Sequence, residues 1–298
     1  MPVAPIDSPQ YFSLREKSGL LAGLAGGDRP QGLWALGDPG LLQNDVLRVA
    51  VVGARRATPY GISVAERLAI ELAAKGVVVV SGLAYGIDAA AHRAAVRAGG
   101  RTLAVLGTGI DVVYPASHRR LQLVEIPRQG LVVSEFSPGT PALAHHFPQR
   151  NRLVAALAAA VVVVEGDIDS GALITARWGA DLGREVLAVP GSIHSAMSRG
   201  PNKLIRDGAI PLTQIEDIFE EVPALRRLAG PRVLGKNPPA AFETPAAARL
   251  LEKLSFDPVS FDVLLEMTGL TVEELNGALL EMEVRGFVQS EPGGYRRR

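Results

Sequence analysis

Two arginines stand in the turn of "VVGARRATPYG", residues 51–61, where an apolar run gives way to a helix start. Such a turn presents backbone N–H groups at a helix N-terminus, where negative charge is favoured. Gly53 keeps the approach open, and the planar guanidinium of Arg55 or Arg56 can grip a phosphate through two parallel bonds. A second set lies in "HHFPQRNRL", residues 145–153, where Phe147 precedes a proline and Arg150, Asn151 and Arg152 fill the first helical turns. A ring among cations suits a stacked base with its phosphate held nearby. Phe147 packed inward as a hydrophobic staple explains the same pattern equally well. In "EGDIDSGALITARWG", Ser170 and Gly171 open a helix with Thr175 one turn on, which makes either an anion cradle or a plain N-cap. Asp167 and Asp169 of that loop repel phosphate unless they point away. "SRGPNKLIRDGA" adds Arg199, Lys203 and Arg206, as phosphate contacts or as a solvated loop.

Other chemistries find little support. A dinucleotide site wants an acidic residue near the end of the second strand. That run ends Ser81-Gly82, and the nearest acid, Asp88, falls inside the next helix, so no nicotinamide or flavin is expected. The sequence has no G-x-x-x-x-G-K-[ST], H-E-x-x-H or G-x-S-x-G motif. His145 and His146 lack a third ligand at metal-binding spacing, and the histidines at 92, 118 and 194 have no triad partners. Tyr85 and Asp88 specify no reaction. The expectation is a binding protein with no catalytic residue, cofactor or metal.

The elements that must position these residues are six short apolar runs starting at Leu47, Val77, Thr102, Leu131, Val161 and Val186. Continuous rather than alternating, they read as strands buried on both faces. Helical stretches between most of them, closing at Gly76 and Gly99, imply right-handed crossovers. The predicted fold is α/β, a doubly wound, mostly parallel Rossmann-like sheet over residues 47–222, with its ligand cleft beyond the carboxyl ends of the strands. Residues 1–46 read as a lead-in whose "GLWALGD" is a candidate extra strand, and 223–242 as a linker. Three amphipathic helices and a hairpin across Pro292-Gly293-Gly294 make 243–298 a small winged-helix domain.

With 31 basic and 31 acidic residues the chain has no net charge, so a polyanion must meet a local patch. Residues 48–215 hold 18 basic against 12 acidic side chains, and 243–298 hold six against ten, which places that patch on the sheet domain. The absence of cysteine, of a signal-like N-terminus and of any long apolar run fits a cytoplasmic protein with no membrane partner.

Read together, "VAVVGARRATPYG", "VVVVSGLAYGIDAAAHRAAV", "LAVLGTGIDVVYP", "HFPQRNRLVAAL", "SGALITARWGADLGREVLAVPG" and "NKLIRDGA" resemble, in order, the DNA-processing protein A (DprA/Smf) family over about residues 31–220. The C-terminal segment is similar to the winged helix many members carry. The resemblance implies a single-stranded DNA binder that protects incoming strands in natural transformation and loads the RecA recombinase, usually as a homodimer, with single-stranded DNA-binding protein as a further partner. It carries DNA contact onto Gly53 and Arg55 of the first turn, Ser81 and Gly82 of the second loop, Phe147, Arg150, Asn151 and Arg152 of the F-P-x-R-N-R match, and Ser170 and Gly171 of the helix start. Arg56, Tyr85, Gly86, Thr175, Lys203 and Arg206 are further candidates for DNA contact on the same stretches. Ala54 replaces the family's serine, Tyr85 an arginine, Asp169 a lysine and Gln149 an arginine. A nucleoside-monophosphate phosphoribohydrolase on a related sheet is the alternative, and a structural adaptor a third reading. The first of these lacks its P-G-G-x-G-T signature. The winged helix's presumed recognition helix carries Glu273, Glu274, Glu281 and Glu283 against Arg285, so it is not expected to enter duplex DNA. The wing and Arg296 to Arg298 are left as its contact surface, unless the domain serves packing or protein binding.

Overall fold

The computed structural model describes residues 8–14, 21, 23–229 and 244–297. The chain divides into two compact units, Met1–Gly230 and Pro231–Arg298. In the first, the strands are β1 (Gln10–Ser13), β2 (Gly32–Gly37), β3 (Arg48–Val52), β4 (Val78–Ser81), β5 (Thr102–Leu106), β6 (Leu131–Ser134), β7 (Ala160–Val163), β8 (Glu185–Ala188) and β9 (Ile210–Pro211). The helices are α1 (Pro59–Ala74), α2 (Ile87–Arg97), α3 (Ile126–Gln129), α4 (His146–Leu157), α5 (Gly171–Asp181), α6 (Arg199–Arg206) and α7 (Glu216–Glu221).

All nine strands form one sheet in the order β1-β2-β6-β5-β4-β3-β7-β8-β9. Strands β3 to β9 run parallel, while β2 joins β6 antiparallel and β1 joins β2 antiparallel. The valine-rich runs are buried on both faces, as their unbroken apolarity requires. On one face Ala50, Val52, Val80 and Val163 pack with Leu153 and Leu157 of α4 and Ala172 and Ala176 of α5. On the other, Val49, Val51, Val79 and Val162 pack with Leu68 and Leu72 of α1 and Ala91 and Ala94 of α2. Each such valine or leucine contributes about 1.5–3 kcal/mol on burial. Gly76 and Gly99 follow α1 and α2 in the left-handed conformation (φ +73° and +72°), ending the helices where the sequence placed their ends.

Two boundaries differ from the sequence reading. "GLWALG" is strand β2, as anticipated, but residues 10–13 pair with it as a further strand, and Leu21, Leu33 and Leu41 are buried in the sheet core. The described residues of this segment therefore pack with the sheet as part of its unit. Likewise Pro223–Leu228 form a 3-10 turn whose Leu225 is fully buried against α7 and the sheet. The rest of the expected linker, from 230 to 242, lies outside the described residues.

The second unit holds α8 (Pro245–Lys253), α9 (Phe261–Thr268), α10 (Val272–Val284) and the hairpin β10 (Val288–Glu291) and β11 (Gly294–Arg297). Leu250, Leu264, Leu275, Leu279, Met282 and Val288 form its core. Thr271 and Glu274 close a capping box at the start of α10. This is the winged helix the sequence implied. Among the described residues no helix is long and apolar enough to cross a membrane.

Candidate nucleic-acid interface

Strand order reverses around β3, with β4 on one side and β7 on the other, and a cleft of about 320 Å³ opens beyond their carboxyl ends. Four chain stretches wall it: Gly53 to Arg56 after β3, Gly82 and Ala84 after β4, Phe147 to Asn151 at the start of α4, and Ser170, Gly171 and Thr175 at the start of α5. The stretches singled out by residue type thus meet at one sheet border. Arg55 and Arg56 are exposed there.

Glycines set how closely the loops approach. Gly86 has φ +73°, and a Cβ on it would lie 2.2 Å from the Ala54 carbonyl oxygen. A Cβ on Gly53 would lie 2.6 Å from Ile87. Ile87 N–H donates to that same Ala54 oxygen at 3.2 Å. The two loops therefore lock backbone to backbone, and Gly86 serves that lock without lining the cleft. The Arg55 guanidinium lies over the Phe147 ring, 5.5 Å from its centre. Gly107 packs beneath the ring and Tyr114 stands 5.2 Å away. Phe147 is half-buried, which leaves part of the ring accessible.

Several residues expected to touch a ligand already have partners within the protein. Arg150 is buried; its Nη1 donates to the Gly82 carbonyl at 2.7 Å and to the Val105 carbonyl, and its Nε to Asn151 Oδ1 at 3.2 Å. Gly82 is what lets it pass, since a Cβ there would lie 2.3 Å from Nη2. Asp88 sits near it and accepts the N–H groups of Gly82 (3.1 Å) and Ala84 (3.3 Å). Burial lowers Arg150 to about 10, against the pull of Asp88. Burial likewise raises the Asp88 carboxyl, against Arg150 and the two N–H groups. Arg150 thus ties the cleft floor, and the Gly82 N–H is already taken.

Arg152 is buried in a bidentate pair with Glu135 (2.6 and 2.7 Å), and its Nε donates to the Asp28 carbonyl at 2.7 Å. The sequence could not show that partner, and no free phosphate grip remains on this side chain. Ser81 is interior, its hydroxyl donating to the Val51 carbonyl at 2.7 Å. Lys203 pairs with Asp207 and lines a different depression, between α5 and α6, and Arg206 lines neither. Tyr85 projects from the second loop into a slot beside the cleft.

Three expected residues keep their places at the start of α5. Ser170 caps the helix, accepting Ala172 N–H at 3.3 Å, and Thr175 is buried in the cleft wall. Gly171 is exposed at the helix start, and Asn151 Nδ2 donates to its carbonyl at 3.1 Å. The acids of this loop are dealt with separately. Asp167 lines the cleft but pairs with Arg199 at 2.7 Å, and Asp169 faces the other depression.

One residue went unnoticed in the sequence. Glu165, just past β7, is buried with Oε2 accepting Thr58 N–H (2.9 Å) and Oε1 accepting the Thr58 hydroxyl (2.5 Å). Gly61 makes room, a Cβ there lying 2.3 Å from Oε2. Burial raises this carboxyl above its ordinary value, with the Thr58 bonds opposing. The signal was an acidic residue ending an otherwise apolar strand in "VVVVEGD".

In the winged helix, Glu281 accepts from the Thr244 hydroxyl (2.7 Å) and Glu274 from Thr271 N–H (2.9 Å). Glu273 and Glu283 are exposed beside the aliphatic Leu280 and Val284, which are 64% and 80% exposed. Arg296 pairs with Glu291 at 2.7 Å and Arg297 lies over Phe256. Arg298 is outside the described residues.

A parallel sheet with a loop-lined cleft at its order reversal, joined to a winged helix, defines a Rossmann-like protein with an appended nucleic-acid-type module. Residues 11–223 match the family described as DNA recombination-mediator protein A, and residues 235–294 the DprA winged helix domain. The chain belongs to the DNA recombination-mediator protein A family. It is 43% identical over 273 residues to the putative DNA processing protein DprA of Mycobacterium tuberculosis, covering 91% of this chain and 69% of that one. The X-ray structure of DprA from Streptococcus pneumoniae superposes with a TM-score of 0.66 at 40% identity, over 72% of this chain and 74% of that one. DprA of Helicobacter pylori, whose structure is described as giving insight into a unique single-stranded DNA binding mode, superposes at 0.63 with 32% identity, over 71% and 95%.

Proposed function

We propose that this chain binds single-stranded DNA along the loop border of its sheet, protects the strand in natural transformation and loads the RecA recombinase onto it. It acts as a homodimer in the cytoplasm, with single-stranded DNA-binding protein as a further partner. The observation that carries the reading is Arg55 resting on Phe147 at the rim of the cleft. A phosphate draws the exposed guanidinium off the ring by a charge-assisted bond worth more than the cation–π contact it replaces. The uncovered ring face then accepts a base. Arg56 and the first N–H groups of α5 at Gly171 offer neighbouring phosphate contacts. Arg150, held near pKa 10, stays charged at neutral pH and adds to the local field without leaving its hydrogen bonds.

The protein binds without transforming its ligand. Asp88 and Glu165, the acids seated under the loops, are engaged by backbone N–H groups rather than aimed at a reacting atom. Base release from nucleoside monophosphates would overturn that part of the reading. The central test is titration of labelled oligothymidine at several salt concentrations. Each phosphate contact contributes about 0.7 to the fall of log affinity with log salt. Arg55→Ala should reduce that slope and weaken binding at moderate salt; equal affinity and slope would refute the assignment.

A further inference from the structure

Beside the cleft, and sharing Arg55, Gly82, Ala84 and Phe147 with it, runs a narrow slot of about 20 Å³ whose other walls include Tyr85 and Tyr114. None of the residues lining it is acidic. The two tyrosines come from different loops, after β4 and after β5, yet stand 49% and 42% exposed on the same slot. Two half-exposed tyrosines on one slot offer ring surface to a flat apolar partner.

Their placement is held. Leu83 adopts φ +56°, a conformation that strains a residue with a branched side chain, while its side chain is fully buried with Leu106 and Ile110. Its carbonyl lies 3.0 Å from His118 Nδ1, which fixes it as acceptor and the imidazole as Nδ1–H donor. The Tyr85 ring leans edge-on against that imidazole at 5.2 Å. Tyr85, two residues beyond the strained leucine, is thus held against the imidazole while about half of it stays open to solvent. Tyr114 is braced in turn by Phe147.

We infer that this slot is a second base-stacking subsite, where Tyr85 and Tyr114 take a nucleobase adjacent to the one on Phe147, with Arg55 between them on the intervening phosphate. The inference rests on the single-strand reading above. It makes the border hold two neighbouring bases, one on each side of a single cation, and it adds affinity with little dependence on salt because stacking releases no counterions.

The test uses the full chain and short oligothymidines, intact or carrying a single abasic residue at successive positions. Tyr85→Ala should weaken binding of the intact oligomer about tenfold, from the range alanine substitution gives per stacked base, with the salt slope unchanged. Tyr85→Phe should restore it. One abasic position should weaken the wild-type protein by the same factor and leave Tyr85→Ala unaffected. Tyr85 is exposed, so unchanged thermal unfolding serves as the folding control. If Tyr85→Ala binds as tightly as wild type while Arg55→Ala does not, the slot assignment falls and the strand reading stands. If neither wild type nor any variant binds oligothymidine, both fall.

Discussion

The loop border of the sheet and the exposed side of α10 have opposite chemistry. At the border, two exposed arginines and three aromatic rings converge, and the nearby acids are paired or capped. On α10, Glu273 and Glu283 flank two exposed aliphatics, and the arginines of the adjoining hairpin are engaged by Glu291 and Phe256. Docking on duplex DNA favours a basic or neutral helix face, and α10 presents the opposite. The difference teaches that side-chain chemistry, not architecture, sets where charge of each sign is displayed.

The largest expected effect falls on the border's foundation. Arg150→Ala leaves the Gly82 and Val105 carbonyls without their donor, and at about 1–3 kcal/mol for each unsatisfied buried group should destabilise the sheet unit by about 2–5 kcal/mol. The winged-helix transition should stay in place; a shift in that one instead would place Arg150 in the wrong unit.

Acid should separate the units next. His92 is buried and held at about 3 by burial, with nearby positive charge as a lesser cause. Its Nδ1 meets the Thr102 hydroxyl at 2.7 Å, and that hydroxyl donates to the Val79 carbonyl, so the neutral ring donates through Nδ1. The unfolded ring takes a proton near 6.5, so between about 6.5 and 3 the unfolded state binds more protons and stability falls as pH falls. From pH 7 to 5 this residue alone should cost about 2 kcal/mol. The pH-dependent part of the difference between wild type and His92→Gln, followed by denaturant unfolding, measures it. Parallel curves for the two proteins would remove His92 as the source.

Affinity changes come third. Arg55→Ala should lower oligothymidine affinity about tenfold, within the worth of one charge-assisted bond. Smallest is the reverse experiment. In an Arg55→Ala background, Glu273→Lys with Glu283→Lys should give α10 measurable, salt-sensitive duplex binding that the parent lacks. Strong duplex binding by the parent, lost on changing α10 residues, would break the contrast outright.

Much of this was legible in the chain. Unbroken valine runs announced strands buried on both faces, and glycines closing the helices marked the connections. Residue types that suit phosphate and base fell after the strands, which is where a parallel sheet opens. What could not be read was pairing across distance. Arg150 and Arg152 looked alike at a helix start, but the Gly82 and Val105 carbonyls hold one and Glu135 the other, and only the folded sheet brings those partners near. Lys203 and Arg206 follow the right pattern on a helix that faces a neighbouring depression. Leu225 looked like linker because one buried leucine in a proline-rich stretch has no periodicity to betray it.

Glu165 has a final bearing on what the border selects. Its carboxyl sits over the first turn of α1, taking the N–H and hydroxyl of Thr58, so the spot where a Rossmann sheet ordinarily seats a pyrophosphate is filled from within. The start of α1 therefore has its Thr58 donors satisfied by the protein's own carboxylate, and the exposed cations of this border stand on the neighbouring turn, at Arg55 and Arg56.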